Sequence, residues 1–472
     1  MKSIFSKYFL FISIVLIALL FRYFNYNFDD LWYDEIISFW VANPKFTFSE
    51  SFNNHNLIEI NSYAYHFLLK LFFSFSNYSV ESGRLLSVFF GTLAVFSTSY
   101  LTWCLTKNNS YIFSTFLTGF NIYLIGYSQE MRVYSLLFFF SSLSLIFFLK
   151  VLSKNKKFMN LIAFNIFTLI NLLLHPFSLL LLFSYIFYLL LVFLKYKRLY
   201  FGLNTSLALI FIFALIFYYQ SILLANDNSA DYFWMTNPKL SFYTNYFFSS
   251  FFGSRLLGVI FLVTLIFLLI KNYNKILEVN YLTLLLTIIF LSYILPLIYG
   301  YLFRPVFTGR YIIFVLIPII STISILSFYI KNRKIKFSLI SFLIIVTVGN
   351  LSTEQTIKQF FNDRIPSKPE YTKALKYINS SATNFYTIKV QKMKNEKATI
   401  NAINNYISEI NKKNKLLTKF LPLNSISNNK IFWYICFQDI NGKDCSIPKN
   451  FMNIKIIEEK NFNNINLKLI KT

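Results

Sequence analysis

The chain has 472 residues, of which 56% are hydrophobic and only 14% charged, against roughly 25% charged in ordinary soluble domains. With 59 Phe and 33 Tyr as well, this composition excludes a soluble globular protein and reads as an integral membrane protein. The formal net charge of +25 does not point to nucleic acid. The Lys and Arg fall in short clusters between apolar runs, the pattern that sets topology in polytopic proteins.

The N-terminal MKSIFSKYFLFISIVLIALLF has basic residues followed by an apolar run and lacks a small-residue cleavage site. It is expected to stay as a first helix rather than be removed as a signal peptide. A membrane-crossing helix needs roughly 20 mostly apolar residues. On that measure, spans are expected at 6–24, 84–106, 111–126, 133–152, 158–174, 177–194, 201–222, 254–270, 279–301, 311–330 and 337–351, about eleven in all. With a cytoplasmic N-terminus, the cytoplasmic turns hold Lys2 and Lys7, Lys107, then Lys154, Lys156 and Lys157. Next come Lys195, Lys197 and Arg198, then Lys271 and Lys275, and last Lys331, Arg333, Lys334 and Lys336. The opposite loops, 25–83 and 223–253, carry Asp and Glu with few Lys, so each cytoplasmic turn obeys the positive-inside rule. An odd number of spans then leaves the C-terminal part outside the cytoplasm.

That part, 352–472, is polar and rich in Asn and Lys, and is set apart from a membrane domain at 1–351. Residues 369–379 and 396–412 read as helices. FYTIKV (385–390), NKIFWYICF (429–437), NIKIIEE (453–459) and INLKLI (465–470) read as strands, giving a small α/β domain. Its basic surface is either an ordinary solvated face or one suited to anionic headgroups or an acidic polysaccharide. No CxxC or Cys/His array is present, so no structural zinc site is expected. Cys104 lies in an apolar run, whereas Cys436 and Cys445 would close a disulfide only outside the reducing cytoplasm.

The unusual polar groups fall on one predicted face. Asp34, Glu35, Glu59 and Arg84 lie in or at the end of the first external loop, in which Asp29 and Asp30 also stand. Gln129, Glu130 and Arg132 lie at the next external turn, His175 at the one after, and Arg304 and Arg310 flank the external start of the tenth span. Charges at a membrane boundary are costly to desolvate unless paired or used. Asp34 and Glu35, between Trp32, Tyr33 and Ile36, are either solvated loop acids or a general base and a holder of a divalent cation. Glu130 and Arg132 are either an ion pair at a helix start, with Tyr134 one turn on along the same helical face, or part of a site. His175 before Pro176 is either a capped helix end or a hydrogen-bond donor or ligand. Arg310 and Tyr311 are either interface anchors or a phosphate contact, to which the planar guanidinium is suited.

In order along the chain, these motifs resemble the GT-C membrane glycosyltransferases, in the branch around the protein O-mannosyltransferases and the aminoarabinose transferase of lipid A. LWYDEIISFWVA carries the Asp-Glu pair of the first external loop at Asp34 and Glu35. EINSYAYHFLLKLFF (59–73) looks like the juxtamembrane helix and SGRLLSVFFGTLAVF (82–96) like the Arg-Leu entry to the next span. YSQEMRVYSLL (127–137), LLLHPFSLLLL (172–182) and FTGRYIIFVLIPII (307–320) match the later segments, and KPEYTKALKYI (368–378) the start of the C-terminal part. The resemblance covers about residues 1–380. One departure is that relatives commonly have His-Pro-Pro-Leu-Tyr where this chain has Glu-Ile-Asn-Ser-Tyr at 59–63, with His55 upstream.

The resemblance implies an α-helical polytopic enzyme of GT-C type that transfers a hexosyl or pentosyl group from a polyprenyl-phosphate donor to a glycan, lipid or protein acceptor. The site would face away from the cytoplasm in the cell membrane. Asp34 would be the general base, and Glu130 a second acid that orients the acceptor or shares a cation. Arg310, with Arg84 or Arg132, would neutralise the leaving phosphate. Glu35, Gln129, His175 and Tyr311 would complete the substrate contacts. A divalent cation would find candidate ligands in Asp34, Glu35 and Glu59, while no nucleotide is required, in keeping with the lack of a Gly-rich phosphate loop. The competing function is a transporter or flippase of lipid-linked glycans. Transporters, however, tend to place charge at the midplane and carry repeats, and neither pattern is found in this sequence.

Overall fold

In a computed structural model of the chain, the described residues are 2–59, 62–153, 157–226, 249–276, 280–303, 306, 308–353, 366–390, 395–422, 430–438, 445 and 455–471. Lys154, Lys156, Arg304 and most of the predicted 223–253 loop lie outside them.

The chain opens with α1 (Lys2–Tyr23) and then makes three short helices, α2 (Tyr33–Val41), α3 (Phe48–Ile58) and α4 (Ala64–Phe75). Asp34 and Glu35 stand in the first turn of α2, where carboxylates favour the positive helix end. A capping box between Thr47 and Glu50 starts α3. The long α5 (Val80–Thr106) is followed by α6 (Ser110–Gly119), α7 (Ile122–Ser128), α8 (Tyr134–Leu152) and α9 (Phe158–Leu174). A 3-10 turn at Pro176–Ser178 leads into α10 (Leu179–Tyr196), and α11 (Phe201–Asn226), α12 (Arg255–Lys271) and α13 (Tyr281–Leu302) follow. A 3-10 segment at Gly309–Val315 runs into α14 (Leu316–Phe328), then α15 (Arg333–Thr353).

Among the described residues, seven helical stretches are long and apolar enough to cross a membrane: Val80–Thr106, Tyr134–Leu152, Pro176–Tyr196, Phe201–Tyr219, Tyr281–Leu302, Gly309–Phe328 and Arg333–Leu351. Each coincides with a predicted span. The predicted spans at 6–24, 158–174 and 254–270 fall on α1, α9 and α12, the last two of 17 residues each. The span expected at 111–126 is different: it breaks after Gly119, and Asn121 starts a new helix by accepting the Leu124 N–H. An Asn side chain in that position serves the otherwise unpaired amides of a first turn.

By contact the chain forms two compact units. One takes its described residues from Met1–Phe24, Ser87–Leu224 and Trp234–Asp363, the other from Asn25–Leu86, Ala225–Phe233 and Arg364–Thr472. In the first unit, helices are joined by buried hydroxyls. Thr102 bonds Ser114 at 3.0 Å and Ser321 at 3.3 Å, and Ser144 bonds Thr168 at 2.8 Å and Tyr185 at 3.1 Å. Small polar residues of this kind hold apolar helices together where no hydrophobic driving force separates them from lipid.

The second unit contains a five-stranded sheet and two more helices, α16 (Tyr371–Ser380) and α17 (Glu396–Asn414). Its strands are β1 (Phe385–Lys389), β2 (Lys419–Phe420), β3 (Ile431–Phe437), β4 (Lys455–Phe462) and β5 (Ile465–Lys471), in the order β2-β1-β3-β5-β4. The pairs β1–β2 and β1–β3 are parallel, and β5 runs antiparallel to β3 and β4. The central β3 is buried along nearly its whole length, which is why its sequence reads as a continuous apolar run. Trp433 meets Tyr377 of α16 and donates to Ser381 at 2.7 Å, while Phe437 stacks on Tyr371 at 4.7 Å. Cys436 of β3 and Cys445 are joined as a disulfide.

Candidate functional site

In the second unit, the sequence DDLWYDE packs four acids into seven residues, and the fold separates their tasks. Asp29 accepts the Ser367 N–H at 3.0 Å and the Ser367 hydroxyl at 2.9 Å. Asp30 accepts the Thr372 N–H and hydroxyl, both at 2.7 Å, and the Tyr406 hydroxyl at 3.1 Å. Because Thr372 lies in the first turn of α16, Asp30 sits at that helix's positive end. Burial still raises the Asp30 carboxyl above its usual range, against the lowering effect of those bonds and of Arg84.

Glu35 is completely buried and is held by two cations. Arg84 Nε and Nη2 donate to it at 2.9 and 3.0 Å, and Lys368 Nζ at 2.7 Å. Burial alone would raise this carboxyl, but the charges of Arg84 and Lys368 outweigh it and hold it at about 2. Arg84 is also buried, and its remaining N–H groups go to the carbonyls of Tyr26, Asp29 and Asp30 at 3.1, 2.8 and 3.3 Å. All five guanidinium donors are thus engaged. The phosphate role expected for Arg84 has no donor left to perform it, and Glu35 is an ion-pair partner whose two oxygens are both occupied.

Asp34, one residue before Glu35, stands half-buried at the start of α2. The helix beneath it is pinned from α3 and α4. Ser51 donates to Val41 O at 2.6 Å, and Lys70 Nζ donates to Asn43 O and Phe46 O at 2.7 and 2.6 Å. His66 Nε2 lies 3.2 Å from the Ser38 hydroxyl, which itself donates to Asp34 O. His66 Nδ1 is 3.0 Å from His55 Nδ1, so one ring must donate and the other accept. His55 is therefore half of a buried histidine pair. Glu59 caps the end of α3, its N–H donating to His55 O at 2.8 Å. Among the described residues no group of three or more His, Cys, Asp or Glu is assembled that could hold a metal ion. Asp34, Glu35 and Glu59 do not form such a set.

The other predicted residues belong to the first unit. Arg310 lies over the rings of Tyr134 and Tyr311, 5.9 and 5.6 Å from their centroids. Tyr311 packs on His175 at 4.8 Å and on Phe177 at 5.1 Å, and Tyr134 meets Tyr127 at 4.9 Å. A guanidinium among aromatic faces is attracted to them. His175 is buried, and its Nδ1 accepts the Phe177 N–H at 3.2 Å, capping the 3-10 turn. In the neutral ring this places the proton on Nε2, as a donor.

Helix α8 begins at Tyr134, so Glu130 and Arg132 lie in the bend before it and not on its face. The Arg132 N–H donates to Glu130 O at 2.8 Å, which tightens that bend. Gln129 is buried, its amide nitrogen donating to Phe21 O, Arg22 O and Phe24 O at 3.1, 3.2 and 3.2 Å. Three contributors went unnoticed in the sequence: Lys368, His66 and Arg22. Only Arg22 had a local signal, a charge at the end of an apolar run.

No protein-family model and no curated protein sequence matches the chain. Solved structures do. ArnT from Cupriavidus metallidurans in the apo state aligns with a TM-score of 0.56 at 9% identity, over 99% of this chain and 98% of that one. The same protein bound to undecaprenyl phosphate aligns at 0.51 and 10% identity, over 98% of both chains. The Archaeoglobus fulgidus oligosaccharyltransferase tethered with an acceptor peptide containing the NVT sequon aligns at 0.52 and 10% identity, over 91% of this chain and 69% of that one. An alignment running nearly end to end through both the helical and the mixed parts leaves one architecture: this chain has the fold of the GT-C membrane glycosyltransferases.

Proposed function

We propose that the chain is a membrane glycosyltransferase that moves a hexose or pentose from a polyprenyl-phosphate donor to an acceptor on the extracytoplasmic side. The observation that carries this reading is the sorting of the acids at 29–35. Asp29, Asp30 and Glu35 are committed to bonds with Ser367, Thr372, Arg84 and Lys368, and Asp34 holds the half-buried first turn of a pinned helix. The GT-C fold and a neighbour of that fold bound to undecaprenyl phosphate support the donor class. The Cys436–Cys445 disulfide supports an oxidising compartment for the C-terminal part.

In this mechanism an acceptor oxygen attacks the anomeric carbon while the bond from that carbon to the phosphate oxygen breaks. The acceptor proton passes to the Asp34 carboxylate, and the electron pair leaves with the lipid phosphate. For the first unit taken by itself, the roles carried over from the family resemblance are charge balance on a leaving phosphate for Arg310 and Arg132 and acceptor orientation for Glu130. Direct displacement inverts the anomeric centre.

The test uses the purified full chain in vesicles with undecaprenyl-phosphate-linked sugars as donors and mass spectrometry of the products. Transfer or hydrolysis is expected in the wild type. Asp34→Asn should lower it by about 10²- to 10⁴-fold, the usual worth of a general base, with an unchanged melting temperature. Wild-type rates in Asp34→Asn would sink the base assignment. Translocation of the lipid-linked sugar with no transfer would replace the enzyme by a transporter.

A further inference from the structure

We propose that Arg22 is a positioning residue for the Glu130–Arg132 bend, acting through the broken helix α6–α7 as one half of a two-way clamp whose other half is Gln129. The proposal rests on the reading of Glu130 and Arg132 given above. An arginine near the end of a membrane helix ordinarily snorkels to water or to lipid headgroups. Arg22 does not, being 1% exposed. Nor does it make an ion pair among the described residues. A buried cation without an anion is costly unless its donors are satisfied, and here the two Nη groups are held by backbone carbonyls while Nε is buried with no hydrogen-bond partner among the described residues. Nη1 donates to Ala18 O at 2.9 Å and to Gly119 O at 2.8 Å, and Nη2 to Thr118 O at 3.1 Å.

Gly119 and Thr118 end α6, where carbonyls lack helical partners and the helix dipole is negative. The break after Gly119 thus creates the acceptors that hold Arg22. Gln129 returns the arrangement, since its amide nitrogen bonds three carbonyls at the end of α1, including that of Arg22 itself. Each helix end is capped by a side chain from the other segment. Between the two anchors lies only α7, and the residue after Gln129 is Glu130.

A third contact closes the arrangement. Gly91 of α5 lies so near α7 that a Cβ there would meet Ser128 Oγ at 2.1 Å, and the same Cβ would be 3.5 Å from Arg22 Nε. Helix α7 is therefore fixed at its start by Arg22 and Asn121, along its side by Gly91, and at its end by Gln129. With both Nη groups turned to helix carbonyls, Arg22 acts on the bend through α7 and does not touch substrate. A shift of about 1 Å in a catalytic group can cost about 100-fold in rate, so loosening the clamp is expected to be visible in turnover.

The experiment compares wild type, Arg22→Gln, Gln129→Ala and the double variant as full chains in vesicles, with an undecaprenyl-phosphate-linked sugar as probe and amide hydrogen exchange in parallel. Arg22→Gln should lower kcat by roughly 10- to 100-fold with KM for the donor within about twofold. Exchange should rise at 120–134 and stay unchanged in α14 and in the β-sheet. The double variant should be no slower than the slower single variant, because both remove one clamp. A raised KM with unchanged kcat, or wild-type exchange at 120–134, would overturn the proposal. If the wild type itself transfers nothing, the functional reading fails and the exchange result alone decides the clamp. If Arg22→Gln does not fold, Gln129→Ala, which leaves the Arg22 bonds in place, decides by the same two readouts.

Discussion

Replacing Glu35 by Gln removes one charge and leaves Arg84 and Lys368 beside a neutral amide of the same shape. The carboxylate accepts three charge-assisted bonds of 2.7–3.0 Å and is completely buried, as is Arg84. Removing one member of a buried pair costs about 3–5 kcal/mol, because the other charge stays buried without compensation. The titration of the group points the same way, since the charges of Arg84 and Lys368 outweigh burial and hold the carboxyl below its usual range. With Lys368 partly exposed, the expected loss for Glu35→Gln is at the lower end of that range, about 3 kcal/mol. In a cooperative unit of roughly 150–250 residues, where 1 kcal/mol moves the midpoint by about 2–4 °C, the shift is about 6–12 °C.

The assay is thermal unfolding in detergent, followed through Trp433, which is fully buried in the same unit. The pH dependence has a definite sign. A carboxyl with a depressed folded pKa contributes its full stability above its unfolded value, and loses it as pH falls through the folded value. The gap between wild type and Glu35→Gln should therefore be constant from pH 7 to about 5, narrow below about 4.5, and close near pH 2. Lys368→Met should cost less, about 1–2 kcal/mol, since Arg84 still holds the acid. A shift under 2 °C for Glu35→Gln, or a gap that widens on acidification, would refute the reasoning.

Two further outcomes are expected. Arg310→Lys keeps the charge but loses the planar fork and its stacking over Tyr134 and Tyr311; transfer should fall by about 10-fold with the melting temperature within 2 °C, measured by the vesicle assay and a thermal melt. Cys445→Ser opens the short loop closed on Cys436, 9 residues away, and should destabilise the C-terminal sheet by about 2–3 kcal/mol by the chain-entropy estimate. Reducing agent should do the same to the wild type and nothing further to the variant, as read by denaturant unfolding.

How much of this was legible in sequence depended on the range of the interaction. The membrane helices follow from apolar runs of sufficient length, and the predicted spans fall on helical stretches except that 111–126 is broken after Gly119. The strands follow from FYTIK, IFWYICF and INLKLI, whose β-branched and aromatic residues pack a sheet. The two-residue β2 was missed because it is too short to carry a period. The break in the third span had a local signature, Gly119 followed by Asn121, a stop and a start for helices. It was overridden by the apolar count of the whole run. Arg22 was visible as a charge but its role was not, since its partners are carbonyls 96 and 97 residues away, which no side-chain pattern encodes.

The acids at 29–35 make the limit sharper. All four share one local environment, and a motif marks the stretch without saying which acid does what. The assignment comes from partners far along the chain. Ser367 is 338 residues from Asp29, Thr372 is 342 from Asp30, and Lys368 is 333 from Glu35. Each of these bonds removes one acid from the set of candidate bases, because a carboxylate whose lone pairs are filled by fixed donors is poorly placed to take a proton from a substrate. The C-terminal segment 366–372 thereby does two things at once: it anchors α16 to the first loop, and it sorts the acids. The Glu35→Gln melt examines that sorting directly, through the stability that the Arg84 and Lys368 bonds supply.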